Sequence, residues 1–307
     1  MKQLTIGIFH DDRLANDLGK KATESDMILH HRKFDDITLS FIRPVEDKLI
    51  VKTQIMGIMD VAILSAETIT PSFGETMLLI DAMGIQNGFI VVPPFSDTTQ
   101  LQSMIKNTTL EQFEIIEKDH HVLLEKLQQI TVERDASKPV VITIDHSFPV
   151  KGIGEVILGF IKQGVVHTHD KLMLLPANKE IIVRSIQMQD KDEKEAEAGS
   201  RVGLAIKGSS TAELTRGALL CQPDSVLVDQ ELTLQFRKNS FYPTVSEGKY
   251  HATIGMQSIP ITINTVTKDS IQITADKPFC YTKNDVFLFL NLNAEKLHFM
   301  GSGTCPN

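Results

Sequence analysis

The chain has 307 residues, of which 42% are hydrophobic and 23% charged. This apolar content is sufficient for two or three packed cores and excludes a disordered or fibrous protein. The formal net charge is −8, and most of the acidic excess lies in residues 1–134. An acidic surface repels polyanions at long range, so general affinity for nucleic acid, DNA included, is not expected.

Three widely spaced cysteines, Cys221, Cys280 and Cys305, argue against a disulfide framework or a zinc knuckle. No apolar run approaches the length needed to cross a bilayer, and the N-terminus begins with a strand-like segment in place of a secretory signal. We therefore expect a cytoplasmic protein with reduced thiols, no metal and no membrane partner.

Residues 1–134 alternate strand-like apolar runs with segments whose apolar residues recur every three or four positions. Strands are expected at 4–9, 37–42, 49–55, 61–65, 88–92 and 113–117, and helices at 75–83, 98–106 and 120–130. This alternation predicts a mainly parallel sheet covered by helices. Because only residues 44–47 separate the second run from the third, we expect those two to form an antiparallel hairpin at the sheet edge.

The polar segment 133–139 is predicted to be a linker, and helical patterns end there. The chain then consists of short β-rich runs separated by Gly, Asn, Asp and Pro, with a break near Pro223. The sequence thus predicts three domains: an α/β domain at 1–134 and two β-barrels at 135–225 and 226–307.

Motifs in the middle segment resemble the second domain of translational GTPases, most closely the selenocysteine-specific elongation factors of archaea and eukaryotes. In order, they are ITIDHSFPVKGIGEV at 142–156, VRSIQM at 183–188 and AGSRVGL at 198–204. KYHATIG at 249–255 and DKP at 276–278 are similar to that factor's third domain. The resemblance implies a degenerate P-loop-GTPase-like α/β domain followed by two β-barrels, the architecture of elongation factor Tu. The fourth domain of such factors is expected to be absent, since the chain stops at Asn307.

A phosphate-binding loop needs GxxxxGK[ST] between a strand and a helix, because backbone amides and Lys hold the phosphates and the hydroxyl holds Mg²⁺. The corresponding stretch begins at Gly7 and has Asp12, Arg13 and Leu14 at the second glycine, lysine and hydroxyl positions. Carboxylates at 11 and 12 would repel a polyphosphate, since two unit charges about 4 Å apart repel by roughly 4 kcal/mol at an effective dielectric constant of 20.

Three further elements of a GTP site are missing. Residues 53–57 stand where a DxxGH segment would hold Mg²⁺, residues 93–96 replace the guanine-reading NKxD, and Glu117 and Lys118 replace a Ser-Ala turn. These losses predict a pseudo-GTPase with no catalytic residues, no cofactor and no nucleotide-driven conformational cycle. Two alternatives are a nucleotide bound in another way at the same sheet edge and a weak residual GTP-binding elongation factor.

In the resembled factors a charged pocket of the second domain holds the aminoacyl group, and its residues match Asp145, His146 and Arg201. A guanidinium and an imidazole bind an anionic selenolate or carboxylate, and the aspartate orients its cationic neighbours. In the structural alternative, Asp145 makes a turn, His146 packs beneath the glycine loop, and Arg201 pairs internally with Asp145.

Two groups of residues are candidates for RNA contact. The first flanks the region where the resembled family's first switch contacts tRNA, and the second combines cations with aromatic rings that stack on bases; rim packing is its alternative. Their members are Lys20, Lys21, Arg32, Lys33 and Arg43 in the first group and Arg237, Lys238, Phe241 and Tyr242 in the second.

Other polar groups favour ordinary structural roles. His167 and His169 are too few ligands for a zinc site, and the adjacent histidines at 30–31 and 120–121 cannot converge from one helix face. The acidic run at 190–197 is expected to be a solvated hairpin tip.

The leading hypothesis is therefore a nucleotide-independent, translation-associated protein that contacts tRNA or an aminoacyl group. In the competing hypothesis, the barrels are a docking module for the ribosome or a translation-associated protein, without tRNA binding.

Overall fold

The structure is a computed structural model that describes residues 2–189 and 191–306. Its first part alternates strands and short helices. In chain order these are β1 (Lys2–Phe9), α1 (Leu14–Leu18), β2 (Lys20–Glu24), β3 (Met27–Lys33), β4 (Ile37–Pro44), α2 (Leu49–Met56), β5 (Val61–Ser65), α3 (Pro71–Ala82), β6 (Gly88–Val92), α4 (Thr99–Ile105), β7 (Glu114–Glu117) and α5 (His120–Gln129).

These strands form one sheet in the order β2-β3-β4-β1-β5-β6-β7. The pairings from β4 through β7 are parallel, and β5 is buried along its whole length. Continuous burial of this kind requires cover on both faces, which helices supply in parallel sheets. On one face, α1 and α5 contribute Leu14, Leu18, Leu123 and Leu127 to a core shared with the strands. The expected α/β domain is confirmed.

The predicted hairpin of residues 37–42 with 49–55 is wrong. Residues 49–56 form α2, and the antiparallel partner of β4 is β3, from Met27 opposite Pro44 to Lys33 opposite Thr38. Strand β2 continues the antiparallel pairing outward. Residues 51–56 of α2 are all buried, so this helix has no polar face whose spacing would distinguish it from a buried strand.

The middle part of the chain is a barrel of antiparallel strands. They are β8 (Val141–Val150), β9 (Gly154–Gln163), β10 (Val165–His167), β11 (Lys171–Leu175), β12 (Lys179–Met188), β13 (Lys191–Glu193), β14 (Glu195–Glu197), β15 (Arg201–Lys207) and β16 (Leu219–Cys221). The sheet order is β11-β16-β8-β9-β15-β12-β13, and an additional β11–β12 pairing closes the ring.

The acidic run at 190–197 does not form a single hairpin tip. Its described part, 191–197, contributes β13 to a pair with β12 and β14 to a pair with β10, while Asp190 lies outside the described residues. Glu193, Glu195 and Glu197 are exposed, but Ala196 between them packs into the barrel core.

A second closed barrel follows, with strand order β17-β20-β19-β18-β21-β22. The strands are β17 (Leu227–Lys238), β18 (Gly248–Ile254), β19 (Gln257–Val266), β20 (Ser270–Tyr281), β21 (Phe287–Leu290) and β22 (Phe299–Thr304). The expected architecture of one α/β domain and two barrels is confirmed.

The chain divides into two compact units whose limits differ from the three predicted domains. The first comprises residues 2–132 together with 237–245 and 288–303, and the second comprises 133–236, 246–287 and 304–306. Two segments of the third predicted domain therefore belong to the same unit as the α/β sheet. Among the described residues, the helices are too short or too polar to span a membrane.

Two glycines of the middle barrel allow a matched stability test, because both have a positive φ. A Cβ at Gly164 (φ 75°) would lie 2.6 Å from the Lys138 carbonyl oxygen, whereas one at Gly152 (φ 84°) would meet nothing within 4 Å. We expect Gly152→Ala to cost about 1–2 kcal/mol for the left-handed backbone. Gly164→Ala should cost about 1–3 kcal/mol more, because backbone must move. Urea unfolding of both variants measures the difference; equal costs would contradict it.

Candidate functional site

The segment that stands in place of a phosphate-binding loop is residues 10–13, between β1 and α1. Gly7 lies inside β1 rather than in this loop, so its sequence assignment to the loop is corrected. A side chain at Gly7 would overlap the Met59 sulfur and lie 3.0 Å from the Ile55 side chain. The glycine therefore makes room for α2 and the residues after it, not for a phosphate.

The Asp11 side chain binds the backbone amides at the start of α1. Its Oδ1 accepts hydrogen bonds from the backbone N–H groups of Arg13 and Leu14, both at 2.9 Å, and its side chain is only 5% exposed. In a phosphate-binding loop, such N–H groups point at the ligand. Here an anionic group of the chain itself lies where a phosphate oxygen would be bound.

Lys118 completes this arrangement from the end of β7. Its Nζ lies 2.7 Å from Asp11 Oδ2 and 2.6 Å from Glu67 Oε1. Burial opposes ionisation of Asp11, but the Lys118 ammonium and the two amides hold the pKa of that carboxyl below its usual value. In the sequence, Lys118 was identified only as a departure from the GTPase pattern. It neutralises Asp11 because the segments that follow β1 and β7 lie close together.

A buried polar network lies beside the loop, between β1, α2 and α3. Lys52 is 2% exposed, forms an ion pair with Asp47, and donates to Ser72 Oγ at 2.8 Å and Thr76 Oγ1 at 3.2 Å. The Thr76 hydroxyl donates to the Ser72 carbonyl at 2.8 Å. Its oxygen therefore accepts from His10 Nε2 at 2.9 Å. Burial and the nearby Lys52 lower the pKa of His10 to about 4, so this imidazole is neutral at pH 7.

A cavity of about 550 Å³ opens between the loop and the segments after β4 and β5. Five carboxylates and one guanidinium belong to its lining. The lining comprises Ile8, His10, Asp11, Asp12, Arg43, Pro44, Val45, Glu46, Asp47, Glu67, Thr68 and Thr70. Carboxylates that line a cavity repel a polyphosphate; of these five, Asp11 and Glu67 pair with Lys118 and Asp47 pairs with Lys52.

The guanine-reading position is also altered in shape. Residues 93–96 form a turn after β6, in which Phe95 has a φ of 61° and is 97% exposed. The Phe95 N–H donates to Glu117 Oε1 at 3.0 Å. The aspartate position of the motif is Ser96, whose hydroxyl donates to the Pro93 carbonyl at 2.7 Å.

In the middle barrel, Asp145 lies between two arginines. Its Oδ2 is 3.6 Å from Arg201 and its Oδ1 is 3.6 Å from Arg216, whose Nε also donates to the Asp145 carbonyl at 3.2 Å. Burial lowers the pKa of Arg201, and Asp145 opposes that shift. The Arg201 guanidinium lies over the Phe160 ring, 5.8 Å from its centroid.

The structure brings together only part of the predicted aminoacyl pocket. Asp145 and Arg201 meet, as the structural alternative also expected, but the next side chain of β8, His146, is exposed and has Phe148 as a ring neighbour at 6.2 Å. The register of β8 against β9 shifts between Ile144 and His146, so Asp145 and His146 do not follow a regular alternation of faces. Sequence reasoning missed Arg216, the second arginine beside Asp145.

Most of the first predicted RNA group is exposed on the two outer strands of the sheet. Lys20 and Lys21 lie on β2, and Arg32 and Lys33 lie on β3. Arg43 differs, because its side chain is 12% exposed, lines the cavity, and lies 3.4 Å from Asp12. It therefore belongs to the loop region rather than to the outer basic surface.

Three residues of the second predicted RNA group are exposed, and Tyr242 is buried. Lys238 Nζ donates to the carbonyls of Asn239, Tyr242 and Pro243, and Tyr242 is buried, with its hydroxyl 2.9 Å from Asn291 Nδ2. These two residues stabilise the turn after β17. Arg237 and Phe241 remain on the surface, with Phe241 73% exposed.

The histidines set aside as structural have local partners. His30 is buried, with Nε2 2.8 Å from Asn16 Oδ1, and His167 lies 3.3 Å from Glu195. Within residues 2–189 and 191–306, no three His, Cys, Asp or Glu side chains converge as a metal site.

Comparison with known proteins identifies the family. Residues 154–221 match the family model of elongation factor Tu domain 2. The chain is 37% identical over 308 residues to the uncharacterized protein MJ0325 of Methanocaldococcus jannaschii, covering 99% of each. It is also 36% identical over 143 residues to the selenocysteine-specific elongation factor of that organism, covering 45% of this chain and 30% of that factor. The chain belongs to a family of SelB-like proteins.

The whole fold of this SelB-like protein has a counterpart among solved structures. SelB from Methanococcus maripaludis, in complex with the GTP analogue GppNHp, superimposes with a TM-score of 0.85 at 21% identity. The match covers the full chain here and 79% of that protein. The resemblance inferred from the middle and C-terminal motifs is thus confirmed for the α/β domain and both barrels.

The neutral state of His10 predicts a pH dependence of stability. The folded pKa of about 4 lies below the value of 6.5 for an unperturbed histidine. Between these values the unfolded chain binds a proton that the folded protein does not, so stability is full above 6.5 and is lost as the pH falls towards 4. We expect the free energy of unfolding to fall by on the order of 1 kcal/mol per pH unit across this window.

Urea titrations at several pH values measure this slope. His10→Gln should make it shallower, and His121→Gln, which changes an exposed histidine of α5, should leave it unchanged. A wild-type slope in His10→Gln would show that another group is responsible.

Proposed function

We propose that this SelB-like protein works without GTP and binds aminoacylated tRNA through its middle barrel. The main support for the proposal is the set of contacts made by Asp11. Its carboxylate binds the amides at the start of α1 and is neutralised by Lys118. The backbone amides at the start of α1, which would bind a phosphate in a P-loop protein, bind a carboxylate of the chain itself. The protein is therefore a binding protein and not a GTPase.

Displacement of Asp11 by a phosphate would carry a large penalty. The phosphate would have to break two charge-assisted hydrogen bonds and leave a carboxylate with 5% exposure beside it. A hydrogen bond to a charged group contributes about 1.5–3 kcal/mol, and an unpaired buried charge costs more. The P-loop lysine and hydroxyl positions are Arg13 and Leu14, and Lys118 already pairs with Asp11 and Glu67.

Binding of an aminoacyl group is supported by the paired arginines of the middle barrel. Arg201 and Arg216 present two guanidinium groups around the Asp145 carboxylate, in a chain with a net charge of −8. Guanidinium groups favour carboxylate, selenolate and phosphate partners. The outer strands supply further cations at Lys20, Lys21 and Arg32 for the tRNA backbone.

A second candidate function is docking to a protein or the ribosome without tRNA. Phe95 and Phe241 favour it, because rings that are 97% and 73% exposed are typical anchors of protein interfaces. The two functions differ in whether tRNA is bound, so one set of binding measurements separates them.

Titration with fluorescent GDP and GTP tests the absence of a nucleotide site. We expect no saturation up to about 1 mM nucleotide, which corresponds to binding weaker than roughly −4 kcal/mol. A GTP-binding translational factor titrated in parallel serves as the positive control. Micromolar affinity for this chain would overturn the nucleotide-independent proposal.

Filter binding with aminoacylated and uncharged tRNA tests the middle barrel. We expect tighter binding of the charged form, and Arg216→Ala should weaken it by about tenfold or more, equivalent to roughly 1.4 kcal/mol. Arg184→Ala removes an exposed arginine of β12 in the same barrel and should leave affinity unchanged.

The outcomes separate the two candidate functions. If wild type and Arg216→Ala both bind charged and uncharged tRNA equally, recognition of the aminoacyl group is refuted. Recognition of the tRNA backbone would then remain as the explanation of binding. Affinity for both tRNA forms that is no better than nonspecific would favour docking to a protein or the ribosome.

A further inference from the structure

Glu75 of α3 binds two consecutive backbone amides far along the chain. Its Oε1 accepts from the N–H groups of His298 at 2.6 Å and Phe299 at 2.7 Å, and its Oε2 lies 3.1 Å from His298 Nδ1. The Glu75 side chain is 9% exposed. These contacts lie inside the first compact unit, which contains both α3 and residues 288–303.

The geometry makes this contact strong. Hydrogen bonds that join an N–H group to an ionised carboxylate are shorter and roughly twice as strong as those between neutral groups. Removal of a buried acceptor also leaves its donors without a partner. Residues 298–299, at the start of β22, are thus attached to α3 through a charge that is shielded from water.

A second carboxylate of the same helix contacts the other distant segment of this unit. Asp81, near the end of α3, lies 3.6 Å from the Arg237 guanidinium and also accepts from the Thr109 N–H at 2.8 Å. Arg237 belongs to residues 237–245, which group with the α/β sheet as residues 288–303 do. One helix therefore contacts both segments, through Glu75 and Asp81.

We propose that Glu75 is a permanent latch that keeps residues 298–299 on α3 whether or not any nucleotide is present. A ligand shifts a conformational equilibrium only through different affinities for the two states. The Glu75 carboxylate is part of the chain, so its hydrogen bonds to residues 298 and 299 form without any exchangeable ligand. The latch does not require the proposed function, because its contacts join Glu75 to His298 and Phe299 and include none of residues 10–13.

Hydrogen exchange of the full-length protein, followed by mass spectrometry on peptides that cover residues 296–303, tests the latch. We expect Glu75→Ala to speed exchange at residues 298 and 299 by at least tenfold, with unchanged far-ultraviolet circular dichroism. Glu75→Gln, which keeps an acceptor oxygen and the side-chain volume, should show a smaller increase. Glu125→Ala removes an exposed glutamate of α5 and should leave this peptide at the wild-type rate.

Two results would overturn the proposal. The first is wild-type exchange at residues 298–299 in a Glu75→Ala protein that keeps its circular dichroism; if that variant does not fold, the same result in Glu75→Gln is decisive. The second is a change of more than about threefold in wild-type exchange at this peptide when GTP or GDP is added at 1 mM. Nucleotide binding without any change at residues 298–299 would refute the nucleotide-independent function and leave the latch intact.

Discussion

The hydrogen bonds from the Arg13 and Leu14 amides to Asp11 are the interaction on which the loop region depends. They supply an anion for the start of α1, and that anion requires a cation, which Lys118 provides from the end of β7. Lys118 in turn contacts Glu67 after β5. One carboxylate thus connects the ends of three parallel strands, a task that phosphates and Mg²⁺ perform in a P-loop protein.

Asp11 and Glu75 follow the same physical rule at two places. Each carboxylate accepts from two consecutive backbone N–H groups and is largely shielded from solvent. A bound phosphate makes similar contacts but leaves when it is hydrolysed or exchanged. A side chain remains attached to the chain, so both contacts form without an exchangeable ligand. This favours a structure with constant geometry over one that alternates between states.

The fold could be predicted from the sequence where alternation and spacing were regular, as in β1, β5 and α5. It could not be predicted at α2, because a helix buried around its whole circumference has the same apolar content as a buried strand. At the loop, the residue types showed what a GTP site lacks. The contacts that replace it join residues far apart in the chain: Lys118 contacts Asp11 over 107 residues, and Lys52 contacts Thr76 over 24. Spacing along the sequence contains no signal for such pairs.

The short helix α1 has a consequence for the solution behaviour of the sheet. It ends at Leu18, and the chain turns at once into β2, which becomes the outermost strand. An unprotected outer strand offers its free amides and carbonyls to other copies and promotes aggregation. Here β2 has five residues, carries Lys20, Lys21 and Glu24, and has a bulge between Lys21 and Thr23. Brevity, charge and irregularity together keep this border of the sheet from adding a strand from a neighbouring molecule.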